Sequence, residues 1–291
     1  MNVRPSPIAG RWYPGNPARL AESIDAYIQA ASVADIQGEV IAIVAPHAGH
    51  MFSGPVAGYA FAACRGLQPS IVAVISPMHQ PYFQTILTTA HEAYETPLGK
   101  IPVAQNAIQE LNQHLLQDLG YPLSAVQFDE EHSLEIELPF LQRVIPTSFE
   151  LLPIMVRDVS RKVVYELGLA LAKTLQGKNS LLVASTDLSH FYTQGQAGNF
   201  DHEILQRLER FDPDSVLRAE DEGKGFACGR GALAAVMWAS RELGADEVKI
   251  LHYATSGDVT GDFTQVVGYG AAVITKSRAS LMQPNLYIKN R

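Results

Sequence analysis

Short apolar runs alternate along the whole chain with stretches whose apolar positions recur at helical spacing. Glu39–Ala45 and residues 70–76 are apolar almost throughout and run into Pro46 and Pro77, the pattern of strands buried on both faces. Residues 84–89, Glu150–Val156 and Ser180–Ser185 read as further strands. Pro153 predicts an edge or a bulge, because proline cannot donate to a ladder. Between these runs, Asn16-Pro17 is a helix start, a capping side chain followed by proline at the first helical position, and Leu20, Ile24, Tyr27 and Ile28 follow at helical spacing. Further helices are predicted over 55–65, 104–119, from a Ser133 cap through Val144, from a Ser160 cap to Leu175, and over 199–211, 213–222 and 231–243. Glu247–Thr255 and residues 264–274 close the chain as two strands, and the short Gly/Asp loop between them predicts a hairpin. The tail from Ser277 shows no period.

Apolar strands alternating with helices predict an α/β fold with a mostly parallel sheet covered on both faces, made mixed by the terminal hairpin. With 291 residues, 47% of them hydrophobic, and no repeat or linker, one domain over residues 1–291 is expected. A net charge of −8 repels phosphate backbones, so no nucleic-acid partner is expected. The apolar runs are far shorter than the roughly 20 residues of a membrane span. The N-terminus lacks the apolar stretch of a signal peptide. With only Cys64 and Cys228, the expectation is a cytoplasmic protein with both thiols free.

Ligands of open α/β sheets bind at the carboxyl ends of the strands. This chain places Pro46-His47-Ala48-Gly49-His50 at the end of one strand, Ser76-Pro77-Met78-His79 at the end of a second, and Ser185-Thr186-Asp187-Leu188-Ser189-His190 at the end of a third. Three strands thus deliver His or Asp to one sheet edge. Two imidazoles and an anionic donor suit Fe, Cu or Zn. The anion is Asp187 or the thiolate of Cys228, which sits between glycines before an apolar helix whose N-terminus favours thiolate. Asp187 either caps the turn that follows or orients His190 as an acid/base partner. His132 either belongs to a helix start or lines the pocket. Trp12 and Tyr13, in an N-terminal Pro/Gly-rich stretch, either seal the domain or wall a ligand cleft. The usual nucleotide, zinc-protease and serine-hydrolase signatures are absent.

Together these pieces resemble the Memo family, which includes the AmmeMemoRadiSam system protein B proteins. The matching segments are Ala9-Gly10-Arg11-Trp12-Tyr13, Ala45-Pro46-His47-Ala48-Gly49, Pro77-Met78-His79, Glu131-His132-Ser133-Leu134-Glu135, Leu152-Pro153-Ile154, Ser185 through His190, and Cys228-Gly229-Arg230. They cover nearly the whole chain. The resemblance implies a three-layer αβα sandwich similar to class III extradiol dioxygenases. It also implies metal ligands His47, His79 and Cys228, with Fe(II) as the first expectation and Cu or Zn as alternatives. Asp187, His190 and His132 would be the catalytic neighbours, and Trp12, Tyr13, His50 and Arg230 would line the substrate pocket. Its implied partners are a small molecule or peptide, an AMMECR1-like protein and a radical SAM protein. Two departures stand out: His50 replaces the usual Tyr after His-Ala-Gly, and Met78 and Gln80 flank His79 where a second His is usual.

Three functions are therefore open: a non-haem metal-dependent oxidoreductase, a non-catalytic binding protein using the same pocket, and a Cys228-dependent hydrolase or transferase.

Overall fold

The computed structural model describes residues 1–278, so most of the tail read from Ser277 lies outside the described residues. In chain order the elements are β1 (Val3–Arg4), α1 (Pro17–Ala30), β2 (Glu39–Ala45), α2 (His50–Ala62), β3 (Ile71–Pro77), β4 (Ile86–Thr89), β5 (Ala93–Thr96) and β6 (Gly99–Pro102). There follow α3 (Gln105–Asp118), β7 (Ser124–Val126), a 3-10 turn (Glu135–Glu137), α4 (Leu138–Val144), β8 (Glu150–Val156), α5 (Arg161–Leu175) and β9 (Ser180–Ser185). The last are β10 (His190–Tyr192), α6 (Gln194–Glu209), α7 (Pro213–Asp221), α8 (Arg230–Glu242), β11 (Glu247–Thr255), α9 (Gly257–Thr260) and β12 (Val266–Lys276).

The main sheet runs β10-β12-β2-β9-β3-β8-β4-β7, with β11 also paired to β12. The pairs β2/β9, β9/β3, β3/β8 and β4/β7 are parallel. β12 is antiparallel to both β11 and β2, and β4 is antiparallel to β8. The sheet is mixed, as the hairpin pattern predicts. α8 packs on β3, β9 and β2 with α5 and α7 behind it, while α2 packs on β2, β11 and β12 with α1 and α4 behind it. These layers make the αβα sandwich. A small sheet, β1-β5-β6, stands beside it.

The register carries the functional consequence. Ala45 is paired with Ser185, and Ile75 with Ala184, so β2, β9 and β3 end side by side. Their following loops must share one edge.

Local chemistry explains where the structure departs from the pattern. Pro153 lies neither at an edge nor in a bulge: β8 is flanked by β3 and β4. In a strand, a residue's N and C=O face the same side. The Pro153 carbonyl accepts from Thr88 Oγ1 at 2.7 Å, while the β4 ladder reaches only Met155 and Val156 and a separate bridge reaches Leu151. The missing N–H therefore faces a gap between two short partners. Helix α2 starts at His50, five residues before the expected position, because the Trp12 carbonyl accepts from His50 N and the Gly49 carbonyl from Phe52 N. A local pattern cannot show that long-range partner. Ser133 is no helix cap; its hydroxyl donates to the Pro77 carbonyl at 2.9 Å and ties the 3-10 turn to the end of β3. Ser160 stands at the N-cap of α5, but its side chain makes no capping bond. α6 begins at Gln194 rather than at 199.

Close helix packing needs Gly58, whose added Cβ would stand 2.5 Å from the Tyr27 carbonyl oxygen on α1. A second fixed point is electrostatic. Arg4, 2% exposed, pairs with Asp129 and Glu135 at 2.6 Å each and donates to the Glu131 carbonyl at 2.8 Å. Both carboxylate side chains are fully buried. One guanidinium thus anchors the whole 129–135 segment to the N-terminus. Arg4→Met leaves two buried carboxylates without their cation. We expect it to cost about 3–5 kcal/mol, read as a fall in the urea midpoint; an unchanged midpoint would refute this role for the pair.

Candidate metal centre

Each histidine is positioned by the end of a different segment. β2 stops at Pro46, and the next turn is clamped to the loop after β9: Thr186 N donates to the Ala45 carbonyl at 2.9 Å, and His47 N donates to Asp187 Oδ1 at 2.7 Å. That holds His47 inward, 2% exposed, with Nδ1 2.9 Å from Ser185 Oγ. β3 stops at Pro77. His79 then donates its backbone N–H to Glu131 Oε2 at 2.6 Å and sets its Nδ1 2.9 Å from Glu131 Oε1. The same Glu131 oxygen accepts the N–H of His132 and of Ser133, both at 3.0 Å. One carboxylate therefore aligns two histidines.

The rings meet. His79 and His132 stack with centroids 4.9 Å apart, and His47 stands edge-on to both at 5.3 and 5.6 Å. One nitrogen from each of the three lies within 4.8 Å of the other two. Cys228 reaches the cluster through His47, its Sγ 3.1 Å from Nε2. The cysteine loop is pressed against β9. An added Cβ at Gly229 would lie 2.4 Å from the Ser185 carbonyl oxygen, so only glycine fits beside Cys228.

Burial sets the charges. It pushes the His47 pKa well below its ordinary value, helped by His132 and His79, and lowers His132 to about 4. Both imidazoles are neutral at physiological pH, the form that ligates metal. Burial alone would raise Glu131, but its hydrogen bond and charge interaction with His79 and the N–H groups it accepts bring it below the usual carboxylate range. Burial lifts Asp187 to about 7 against the N–H groups of His47 and Ala48. Burial, then the charge of Asp187, pushes the Cys228 thiol far up. The thiolate expected from the α8 N-terminus is thus reversed: desolvation outweighs the helix end, and Cys228 is no activated nucleophile in the absence of a metal.

The other sequence candidates fall around this cluster. Trp12 packs against His132 with ring centroids 4.1 Å apart and also lines a cavity of about 500 Å³, along with Arg11, Phe52, Phe191 and Tyr269. Tyr13 and His50 lie behind it, buried, with the Tyr13 hydroxyl donating to Glu135 Oε1 and His50 Nε2 3.0 Å from the Ile136 carbonyl. Arg230 pairs with Glu220 on α7. His190 stands on β10 opposite Val267, its pKa lowered by burial. Asp187 makes its carboxylate hydrogen bonds to the turn at His47. A register shift between His190 and Tyr192 puts Phe191 at φ 64°, where non-glycine residues are strained, and leaves it 68% exposed at the cavity rim.

His132 is thus the third member of the imidazole cluster, a role the strand-end pattern does not give it. Glu131 and Glu137 are supporting residues outside that pattern, and Ser185, which lies within it, supports the His47 ring. A signal for Glu137 exists: Glu135 and Glu137 interrupt an otherwise apolar run, and buried carboxylates require partners.

The residues present fit a metal ion. A metal–imidazole bond of about 2.1 Å holds two nitrogens on one ion no more than roughly 4.2 Å apart. The three nitrogens, within 4.8 Å, close on that spacing by small ring rotations. Buried partners on the far ring nitrogens of His47 and His79 complete the match.

Known proteins resemble this chain along nearly its whole length. The family model described as "Memo-like protein" matches residues 4–273. A MEMO1 family protein of Nitrosopumilus maritimus is 33% identical over 276 residues, covering 92% of this chain and 98% of that protein. Another from Methanopyrus kandleri is 31% identical over 282 residues, with 92% and 98% covered. The crystal structure of an uncharacterized protein from Escherichia coli K12 shares the fold, with a TM-score of 0.56 at 15% identity over 81% of this chain and 100% of that one. The family model and these relatives show it together: the chain belongs to the Memo family.

Proposed function

We propose that this chain is a non-haem metal-dependent oxidoreductase acting on a small aromatic or phenolic molecule, with Fe(II) the first candidate and Cu or Zn the alternatives. The observation that carries the reading is the meeting of three imidazoles beside an aromatic-lined cavity. His47, His79 and His132 would hold the ion, and Cys228, through its contact with His47, is placed to become a further donor. A bound ion supplies Lewis-acid chemistry and, for iron or copper, electron transfer.

The protein's own side chains do the rest. Ser185 and Glu131 fix the His47 and His79 rings from behind. Asp187, near pKa 7, can hold or release a proton inside the site at neutral pH. His190 is kept neutral and available as a base. Trp12, its ring 4.1 Å from that of His132 and tilted by 34°, covers one side of that imidazole. A second reading, ligand capture without turnover, draws on the apolar lining of Trp12, Phe52, Phe191 and Tyr269.

Anaerobic titration of the metal-free protein with Fe(II), Cu(I) and Zn(II) should fill one site per chain. His79→Ala should weaken it by more than about 100-fold, beyond the loss typical of residues that only orient a ligand. A pocket that takes up none of these ions would sink the metal reading. An aromatic ligand that binds the loaded protein yet is never converted would favour capture without turnover.

Proton release tests Cys228. The thiol is protonated near neutral pH, so ligation as thiolate displaces one proton. His47 and His132 are already neutral there and displace none. Metal affinity should rise about tenfold per pH unit between about pH 6 and pH 8 from the thiol alone. Asp187 titrates in that range too, so the thiol is read as the part of the slope that Cys228→Ser removes. Equal slopes in parent and variant would exclude Cys228 from the ligand set.

A further inference from the structure

The hydroxyl of Ser185 has more neighbours than an ionised site allows. It is fully buried, and three polar atoms surround it: the Ser133 carbonyl oxygen at 2.6 Å, Glu137 Oε1 at 2.8 Å and His47 Nδ1 at 2.9 Å. A serine hydroxyl has one proton to donate and two lone pairs to accept. The Ser133 carbonyl can only accept, and so can an ionised Glu137. One proton cannot serve both oxygens. If it went to Glu137, two oxygens 2.6 Å apart would face each other with no proton between them. If it went to Ser133 and Glu137 were ionised, a buried carboxylate would face a lone pair.

We infer that Glu137 is an un-ionised carboxylic acid that donates to Ser185 Oγ and thereby locks His47 with its proton on Nδ1. Every atom is then satisfied. Ser185 donates to Ser133 and accepts from Glu137 and from His47 Nδ1–H. His47 Nε2 is left as a bare lone pair, 3.1 Å from Cys228 Sγ, whose S–H donates to it. Glu137 is 1% exposed, and among the described residues no Lys or Arg pairs with it; the charged group facing it is the Asp187 carboxylate. Burial and that neighbour both raise its pKa, in agreement with the donor count. Glu137 is a positioning residue: it acts on His47 through Ser185 and touches no candidate ligand.

This rests on the metal reading only for its use, which is to present Nε2 rather than Nδ1 to an ion. Its test therefore uses metal-free protein. Infrared spectra at about pH 8.5, above the Asp187 value of about 7, should contain the C=O stretch of a protonated carboxylic acid. Glu137→Gln should abolish that band. Nitrogen-15 NMR of the imidazoles should show His47 protonated on Nδ1 in the parent. It should show the same in Glu137→Gln, whose amide N–H₂ still donates to Ser185. Glu137→Leu, which removes the donor, should mix the tautomers and weaken Zn(II) binding by about 10–100-fold. Parent spectra without the band, or a His47 tautomer that Glu137→Gln disturbs as much as Glu137→Leu does, would overturn the inference. Should Glu137→Leu fail to fold, the infrared band and the Glu137→Gln tautomer decide it alone. A protein that passes both tests and binds no metal would retain the lock and lose only the proposed function.

Discussion

The parallel alignment of β2, β9 and β3 is the constraint on which the rest depends. Because Ala45 is level with Ser185 and Ile75 with Ala184, three chain segments leave the sheet at the same height and on the same edge. Prolines at 46 and 77 end two of the ladders there, and the backbone has to turn. What emerges at those turns is His47, His79 and the Asp187 loop. A one-residue slip of any of the three strands would invert its side-chain alternation and carry its histidine or serine to the wrong face. His47 and His79 thus stand directly on the sheet, while His132 depends on the loop that Arg4 anchors.

Around that edge the protein trades solvent for neutral donors. Nearly every ionisable group near the cluster is pushed toward its uncharged form: His47, His132 and His190 downward, Asp187, Glu137 and Cys228 upward. Glu131 is the exception, held ionised by N–H groups from three residues and by His79. A lone anionic carboxylate behind His79 and a serine behind His47 give the two rings different electron-donating partners. The two histidines are therefore not equivalent, although each closes a parallel strand.

The sequence showed the αβα architecture and two of the three imidazoles because both follow from local rules: apolar strands end at prolines, and loops at strand ends carry ligands. It showed Cys228 through its flanking glycines. It did not show that His132 joins the cluster. That residue sits in a loop whose position is set by Arg4, more than a hundred residues away, acting on Asp129, Glu131 and Glu135. Pro153 and the start of α2 were misjudged for the same reason, since the deciding partners were Thr88 and Trp12 on distant segments. In the metal-free protein the thiol of Cys228 is protonated because burial, which a sequence does not display, outweighs the helix end that it does. Long-range contacts, not local preference, account for each of these differences.

Phe191 carries a consequence of another kind. Its backbone lies in a conformation that glycine or asparagine adopts at less cost, and its ring gains little burial in return. Folding alone gives this position no use for a large ring. The chain thus carries the strain of an aromatic at the cavity rim without recovering it as burial.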